Sequence, residues 1–277
     1  MGGAPGSSTR RPDRAGQASV TRVTEAASLP VEMFGATQDP IPDMRTVALP
    51  VQGSLEVVPA LVWLPAEGAG PRPIVLVGHG AGGHKAAPIV ARTASLVTAL
   101  GLAALSIDCP HHGDRTPPDE VGLTAAQRRE RLGLDGWRDR NARAVPQAVA
   151  DWRAALDVAQ SLDEVGTGPA GYLGLSLGAR FGLPLVAAEP RIAAAVLGLF
   201  GSAETGPVAD AALQITVPVL FLLQWHDELY PRDGGLTLFD LLGSADKTLH
   251  ASPGRHLEFP PAELPEAAQF LCRQLNR

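Results

Sequence analysis

Short apolar runs bounded by Pro and Gly alternate with longer stretches of helical spacing along most of this chain. The first regular pattern lies between Met44 and Leu64, where two strand-like stretches flank Gln52-Gly53-Ser54. A Gly-containing connection of that kind predicts a hairpin. A turn from Gly68 to Pro73 leads into Ile74-Val75-Leu76-Val77, an apolar run of the length and composition of a buried strand. Ala86 to Leu100 predicts a helix that Gly101 breaks, and Leu102 to Ile107 a strand. Asn141 to Leu162 reads as helical, with Val145, Val149, Trp152, Leu156 and Ala159 close to helical spacing and Pro146 in the first turn. Ala170 to Leu175 predicts a strand, and Leu177 to Ala188 a helix that Pro184 should kink or shorten. Further strands are expected at Ala193–Leu199, Val217–Leu223 and Lys247–His250, and further helices at Arg232–Leu242 and Ala262–Leu275.

Strands alternating with helices imply right-handed crossovers and a mostly parallel sheet covered on both faces. In such α/β sheets the functional groups gather at the carboxyl ends of the strands, so the residues just after each strand carry the most information. Asp114 to Arg140 fits no strand of the pattern and is expected to be an insertion above those ends, a candidate cap over residues 114–140.

Composition narrows the picture. A chain of 277 residues, 45% hydrophobic and 19% charged, is long enough to bury one full-sized core. The formal net charge of -6 gives no basic surface for nucleic acid. The arginines between Asp114 and Arg143 are interleaved with acids, as on a solvated helix face. Cys109 and Cys272 have neither metal-ligand spacing nor a CxxC partner, and two free thiols favour a reducing compartment. Met1 to Ala27 is polar and has no apolar h-region, and no apolar run reaches the length of a membrane span. Residues 1–28 are therefore expected to form a flexible tail, residues 29–277 a single domain, and the protein to be cytoplasmic, with a small molecule rather than a nucleic acid or a membrane as its partner.

Gly174-Leu175-Ser176-Leu177-Gly178 has the form G-x-S-x-G between a predicted strand and a predicted helix. A sharp turn there exposes the serine hydroxyl beside the positive end of the helix, and the flanking glycines remove side chains that would collide. A serine needs a base, and in this kind of strand–turn–helix site the acid and then the histidine follow it along the chain. His226, His250 and His256 satisfy that order. His250 ends a predicted strand, whereas His256 lies in the loop Pro253-Gly254-Arg255-His256 and is the expected base. Asp227, where the strand ending at Leu223 becomes a loop, is the expected acid, with Glu228 next in line. An oxyanion formed on attack needs preorganised donors. The backbone N–H of Leu177 supplies one, and the loop Gly78-His79-Gly80-Ala81-Gly82-Gly83 the other, from Ala81 or from Gly80 or Gly82, with His79 bracing the loop. Asp108, His111 and His112 crowd the loop after the next strand, which reads as structural rather than as a metal site. Trp137 in the insertion and Trp225 beside the acid are the candidate pocket residues, with Leu123, Leu132 and Leu134 as apolar neighbours.

From Met44 to the C-terminus these loops resemble the α/β-hydrolase superfamily, and within it the dienelactone-hydrolase-like and acyl-esterase-like branch. The motifs concerned are the Gly-rich loop at His79–Gly83, Asp108 to Gly113, the turn at Ser176, Asp227 to Pro231 and Pro253 to His256. The resemblance implies an α/β-hydrolase fold with an eight-stranded, mostly parallel sheet. It also implies cofactor-free hydrolysis of a carboxylic ester, lactone or related acyl compound. Dienelactone hydrolases use a cysteine nucleophile; Ser176 departs from that and points away from dienelactones themselves. Thioester cleavage and acyl transfer would use the same triad, a non-catalytic binding protein on this fold is the reading furthest from it, and the oligomeric state, homo-oligomers included, is left open.

Overall fold

The computed structural model describes residues 1–2, 44–52, 56–66, 68, 70–201 and 206–277. The expected tail beyond its first two residues, and Gly53 and Ser54 of the expected hairpin turn, lie outside the described residues.

Eight strands form one sheet: β1 (Met44–Gln52), β2 (Val57–Pro65), β3 (Ile74–Gly78), β4 (Ala103–Ile107), β5 (Ala170–Leu175), β6 (Ile192–Gly198), β7 (Val219–Gln224) and β8 (Lys247–Ser252). Their order is β1-β2-β4-β3-β5-β6-β7-β8. β2 is antiparallel to both its neighbours, with Gln52 facing Val57 in the β1–β2 hairpin. All pairs from β4 to β8 are parallel.

Side-chain alternation divides the core in two. Ile74, Leu76, Leu105, Tyr172, Leu197 and Phe221 point to one face. There they meet α3 (Val145–Gln160), α4 (Leu177–Ala188), α5 (Pro207–Gln214) and α6 (Arg232–Leu241) through Trp152, Phe181, Ala212 and Leu238. Val75, Val77, Leu173, Val196 and Leu222 point to the other, against α1 (Pro88–Ala99) and α7 (Glu263–Leu275). Strands buried on both faces are why β3 to β7 read as continuous apolar runs and not as alternating ones.

The insertion is helical, in keeping with its interleaved charges, and three other features differ from the sequence-based expectation. Residues 114–140 form two short 3-10 turns and most of α2 (Ala125–Arg143), which starts on a Thr124–Gln127 capping box. α2 runs on through Asn141 to Arg143, so the next helix begins only at Val145, with Pro146 in its first turn. α4 continues through Pro184 to Ala188, so the proline does not shorten it: Leu183, Leu185 and Val186 on either side are buried against the sheet and hold the turn in place. α5 has no counterpart in the expected elements, although Gly206-Pro207 ahead of an Ala-rich run is a helix-start signal.

Under the β5–α4 turn lies Tyr172, fully buried. Its hydroxyl donates to the Gly178 carbonyl at 2.7 Å. Gly78, Gly174 and Gly182 surround it, and a Cβ on Gly182 would collide with its ring. A core filled to that density has no slack for a methyl group, so Gly182→Ala is expected to cost roughly 1–3 kcal/mol. A urea unfolding midpoint equal to that of the wild type would show that the ring can move aside.

Candidate active site

Ser176 sits at the junction of β5 and α4 with φ 58° and ψ -116°, a left-handed conformation for a residue that carries a Cβ. The turn survives because its surroundings over-determine it. Ser176 N–H donates to Gly198 O at 3.0 Å, tying the turn to β6. A Cβ at Gly174 would lie 2.7 Å from Gly178 O, and one at Gly178 would lie 3.0 Å from Gly78 O, so both glycines are needed for the close approach. Leu177 opens α4, and its N–H, like others in a first helical turn, has no partner within the helix.

The expected base and acid converge on this hydroxyl from two other loops. His256 Nε2 is 3.0 Å from Ser176 Oγ, and His256 Nδ1 is 2.7 Å from Asp227 Oδ2. His256 and Asp227 are buried, and Ser176 is half-buried. The second carboxylate oxygen of Asp227 accepts the N–H groups of Leu229 and Tyr230, each at 2.8 Å. Burial works to raise the Asp227 carboxyl, but the hydrogen bonds from His256 and from Tyr230 and Leu229 outweigh it and hold it below the usual carboxylate value. Asp227 therefore keeps its charge through acidification that would neutralise an ordinary aspartate.

Glu228, the alternative acid, does something else. Its carboxylate accepts the backbone N–H of His256 at 3.1 Å and pairs with Arg255 at 3.4 Å, so it shapes the histidine loop from outside. His250, the alternative base, hydrogen-bonds Glu263 at 2.8 Å. Those two residues and Glu266 bring metal-capable atoms within 4.8 Å of one another, the only such group among the described residues. Both carboxylates lie in the first turn of α7, where the helix dipole favours negative charge.

The Gly-rich loop after β3 makes a turn closed by Gly83 N–H on Gly80 O at 3.0 Å, leaving Ala81 and Gly82 at an exposed tip. Gly82 has φ 77°, and a Cβ on it would come 3.1 Å from Ala125 Cβ, so the tip abuts the start of α2.

Neither a family model nor a curated protein matches the chain. Among solved structures it is similar to a cold-adapted esterase from an Arctic intertidal metagenomic library, bound to polyethylene glycol. The two are 36% identical over 84% of this chain and 94% of that one, with a TM-score of 0.70. The chain belongs to the α/β-hydrolase superfamily. Its place is in the esterase and dienelactone-hydrolase-like branch. An acetyl xylan esterase from Paenibacillus sp. R4 (16% identity, 86% of each chain, TM-score 0.64) and a 2,6-dihydroxy-pseudo-oxynicotine hydrolase (21% identity, 84% of this chain, 68% of that one, TM-score 0.61) share the fold.

In this hydrolase the ring contacts of the two tryptophans expected to line the pocket are with residues other than Ser176 and His256. Trp137 is half-buried, edge-on to His112 with centroids 6.5 Å apart and with Arg140 stacked over it at 5.2 Å. Trp225 is 41% exposed under Arg232, 4.8 Å from its ring. Sequence reasoning missed Tyr230, 5.8 Å from the His256 ring, and Phe200, which packs 5.0 Å from Tyr230. Tyr230 follows Asp227 by three residues and so was within reach of a sequence argument; Phe200, at the end of β6, had no comparable signal.

The loop after β4 packs against the Gly-rich loop, with the His112 and His79 ring centroids 5.3 Å apart. His112 is fully buried, its Nδ1–H donates to Pro110 O at 2.8 Å, and burial next to the His79 ring pushes it down to about 3, so it is neutral. Both cysteines are free; Cys109 is buried, which pushes its thiol up to about 12 and leaves it unreactive. Among the described residues no helix is long and apolar enough to cross a membrane.

Proposed function

We propose that this α/β-hydrolase is a serine esterase acting on carboxylic esters or lactones through an acyl-enzyme on Ser176, and that no cofactor takes part. The carrying observation is the unbroken hydrogen-bond chain Ser176 Oγ–His256–Asp227, 3.0 Å and 2.7 Å long, ending on a serine held at φ 58°. The sequence similarity to an enzyme described as an esterase supports the substrate class.

In the proposed reaction Ser176 Oγ attacks the acyl carbon while His256 Nε2 takes its proton. Asp227 holds the Nδ1–H and offsets the charge of the imidazolium. Leu177 N–H and one N–H of the Gly-rich loop, Ala81 or its neighbours Gly80 and Gly82, hold the oxyanion. The tetrahedral adduct collapses, His256 protonates the departing alkoxide, and water, deprotonated by the same histidine, releases the acid. Hydrolysis of p-nitrophenyl esters over a series of acyl lengths, followed by labelling with a fluorophosphonate, tests this. Turnover together with an adduct on the peptide containing Ser176 is expected. An adduct elsewhere, or turnover with Ser176 unlabelled, would remove the assignment.

The segment 114–140, in which the start of α2 abuts the loop tip at Gly82, acts in this reading as a short cap. Trp137 in this segment packs edge-on against His112, and Trp225, two positions before Asp227, lies under Arg232. Trp137→Ala is expected to change the ranking of acyl chain lengths more than the unfolding temperature. A lowered melting temperature with an unchanged ranking would make Trp137 an anchor of the cap and nothing more.

A further inference from the structure

The Gly-rich loop has few side chains with which to fix itself, yet an oxyanion donor must be in place before the substrate arrives. Its two ends are tied to adjacent residues just past β4, the start to Cys109 and the far end, through Lys85, to Asp108. At the start of the loop His79 is fully buried. Its Nδ1–H donates to Gly80 O at 2.9 Å, and its Nε2 accepts the N–H of Cys109 at 3.1 Å. Burial pushes the His79 imidazole below its usual value, which keeps it in the neutral form that this donor–acceptor pair requires.

At the far end Asp108, with no solvent exposure, accepts Lys85 N–H at 2.7 Å on one oxygen and Lys85 Nζ at 2.8 Å on the other. Asp114 N–H adds a third bond to the carboxylate at 3.0 Å, and Asp114 Oδ2 takes Lys85 Nζ at 2.7 Å. Burial works against the Lys85 charge, but the two carboxylates outweigh it and hold the ammonium above its usual value. Gly113, at φ 57°, passes so close to Asp108 that any Cβ there would collide with the carboxylate. Such a buried, multiply bonded ion pair is far more than a short surface loop needs for solubility.

We infer that Asp108, with Lys85 and His79, is a positioning device that sets the oxyanion-loop donor against the sheet in the free enzyme. β3 lies between β4 and β5, so a loop leaving β3 and clamped sideways onto β4 keeps a fixed offset from Ser176 at the end of β5. The inference rests on the serine-esterase reading, and none of the three residues is assigned contact with the substrate.

The test compares wild type, Asp108→Asn, Lys85→Met and Ser176→Ala by kcat, KM, thermal unfolding and affinity for an alkyl boronic acid. The boronate's tetrahedral adduct on a serine places an oxygen where the oxyanion forms. Loss of one oxyanion donor costs about 100-fold or more in kcat, and a loosened donor part of that, so Asp108→Asn is expected to lower kcat by roughly 10- to 100-fold. KM should stay near wild type, and boronate affinity should weaken in step with kcat. Lys85→Met, which keeps the backbone bond to Asp108, should show the same split to a smaller degree, and it carries the test should Asp108→Asn fail to fold. Folded variants with unchanged kcat and boronate affinity would overturn the inference. So would a kcat that falls only with the folded fraction. Full activity in Ser176→Ala would instead remove the serine-esterase reading, and the positioning role with it.

Discussion

Replacing Ser176 by Ala is expected to lower kcat on p-nitrophenyl esters by roughly 10⁴-fold or more while leaving the protein folded. The size follows from what is lost. Without Oγ there is no covalent intermediate, and His256 has no proton to take; only binding and the oxyanion donors remain to speed direct attack by water. The fold should tolerate the change. Alanine keeps the Cβ, and the strained backbone at φ 58° is held by Ser176 N–H on Gly198 O and by the packing of Gly174 and Gly178, none of which involves the hydroxyl. Stopped-time assays at high enzyme concentration, with circular dichroism as the folding control, decide the matter. Residual activity within about tenfold of wild type, far above what a broken triad retains, would mean that another group is the nucleophile.

Asp227→Asn is expected to lower kcat by about 10⁴-fold with the side-chain shape unchanged. Among the described residues Asp227 Oδ2 is the one acceptor that His256 Nδ1 meets, at 2.7 Å, and it fixes the tautomer whose Nε2 is free to take the serine proton. An amide in its place can donate to Nδ1, which puts the imidazole proton on Nε2 and points it at Ser176 Oγ. The change has a pH signature in stability as well. A carboxyl held below its unfolded value stabilises the fold above the unfolded pKa of about 3.9. That contribution is lost as pH falls through the folded value. The stability gap between wild type and Asp227→Asn should therefore be full at neutral pH and close only in strong acid. Glu228→Gln is the control. It keeps an oxygen to accept the His256 N–H and lies on the exposed side of the loop, so activity near wild type is expected. Were Glu228→Gln the crippled variant and Asp227→Asn the active one, the two acids would exchange roles.

Much of this enzyme could be read along the chain because its signals are local. Buried parallel strands must be apolar throughout, so Ile74–Val77 and Ala170–Leu175 identified themselves, and all eight strands of the sheet had a counterpart in the sequence pattern. A serine forced into a left-handed turn needs glycines on either side, so Gly174 to Gly178 marked the strand–helix junction. Chain order then narrowed the partners to a few residues, with Asp227 and His256 preferred because each follows a strand. Tertiary structure decided what depends on residues far apart in sequence. It separated Glu228 from Asp227, because only the three-dimensional path of the loop at Gly254–His256 shows which carboxylate meets the ring and which meets the backbone. It carried α4 through Pro184, where burial against the sheet outweighs the local cost of proline. It placed Tyr230 beside His256 and Phe200 against Tyr230, and it tied the Gly-rich loop to Asp108 and Cys109 across 23 to 30 positions of chain. Periodicity and turn chemistry act within a few residues and so are written in the sequence. Hydrogen bonds between loops form only once the sheet has set the strand ends side by side.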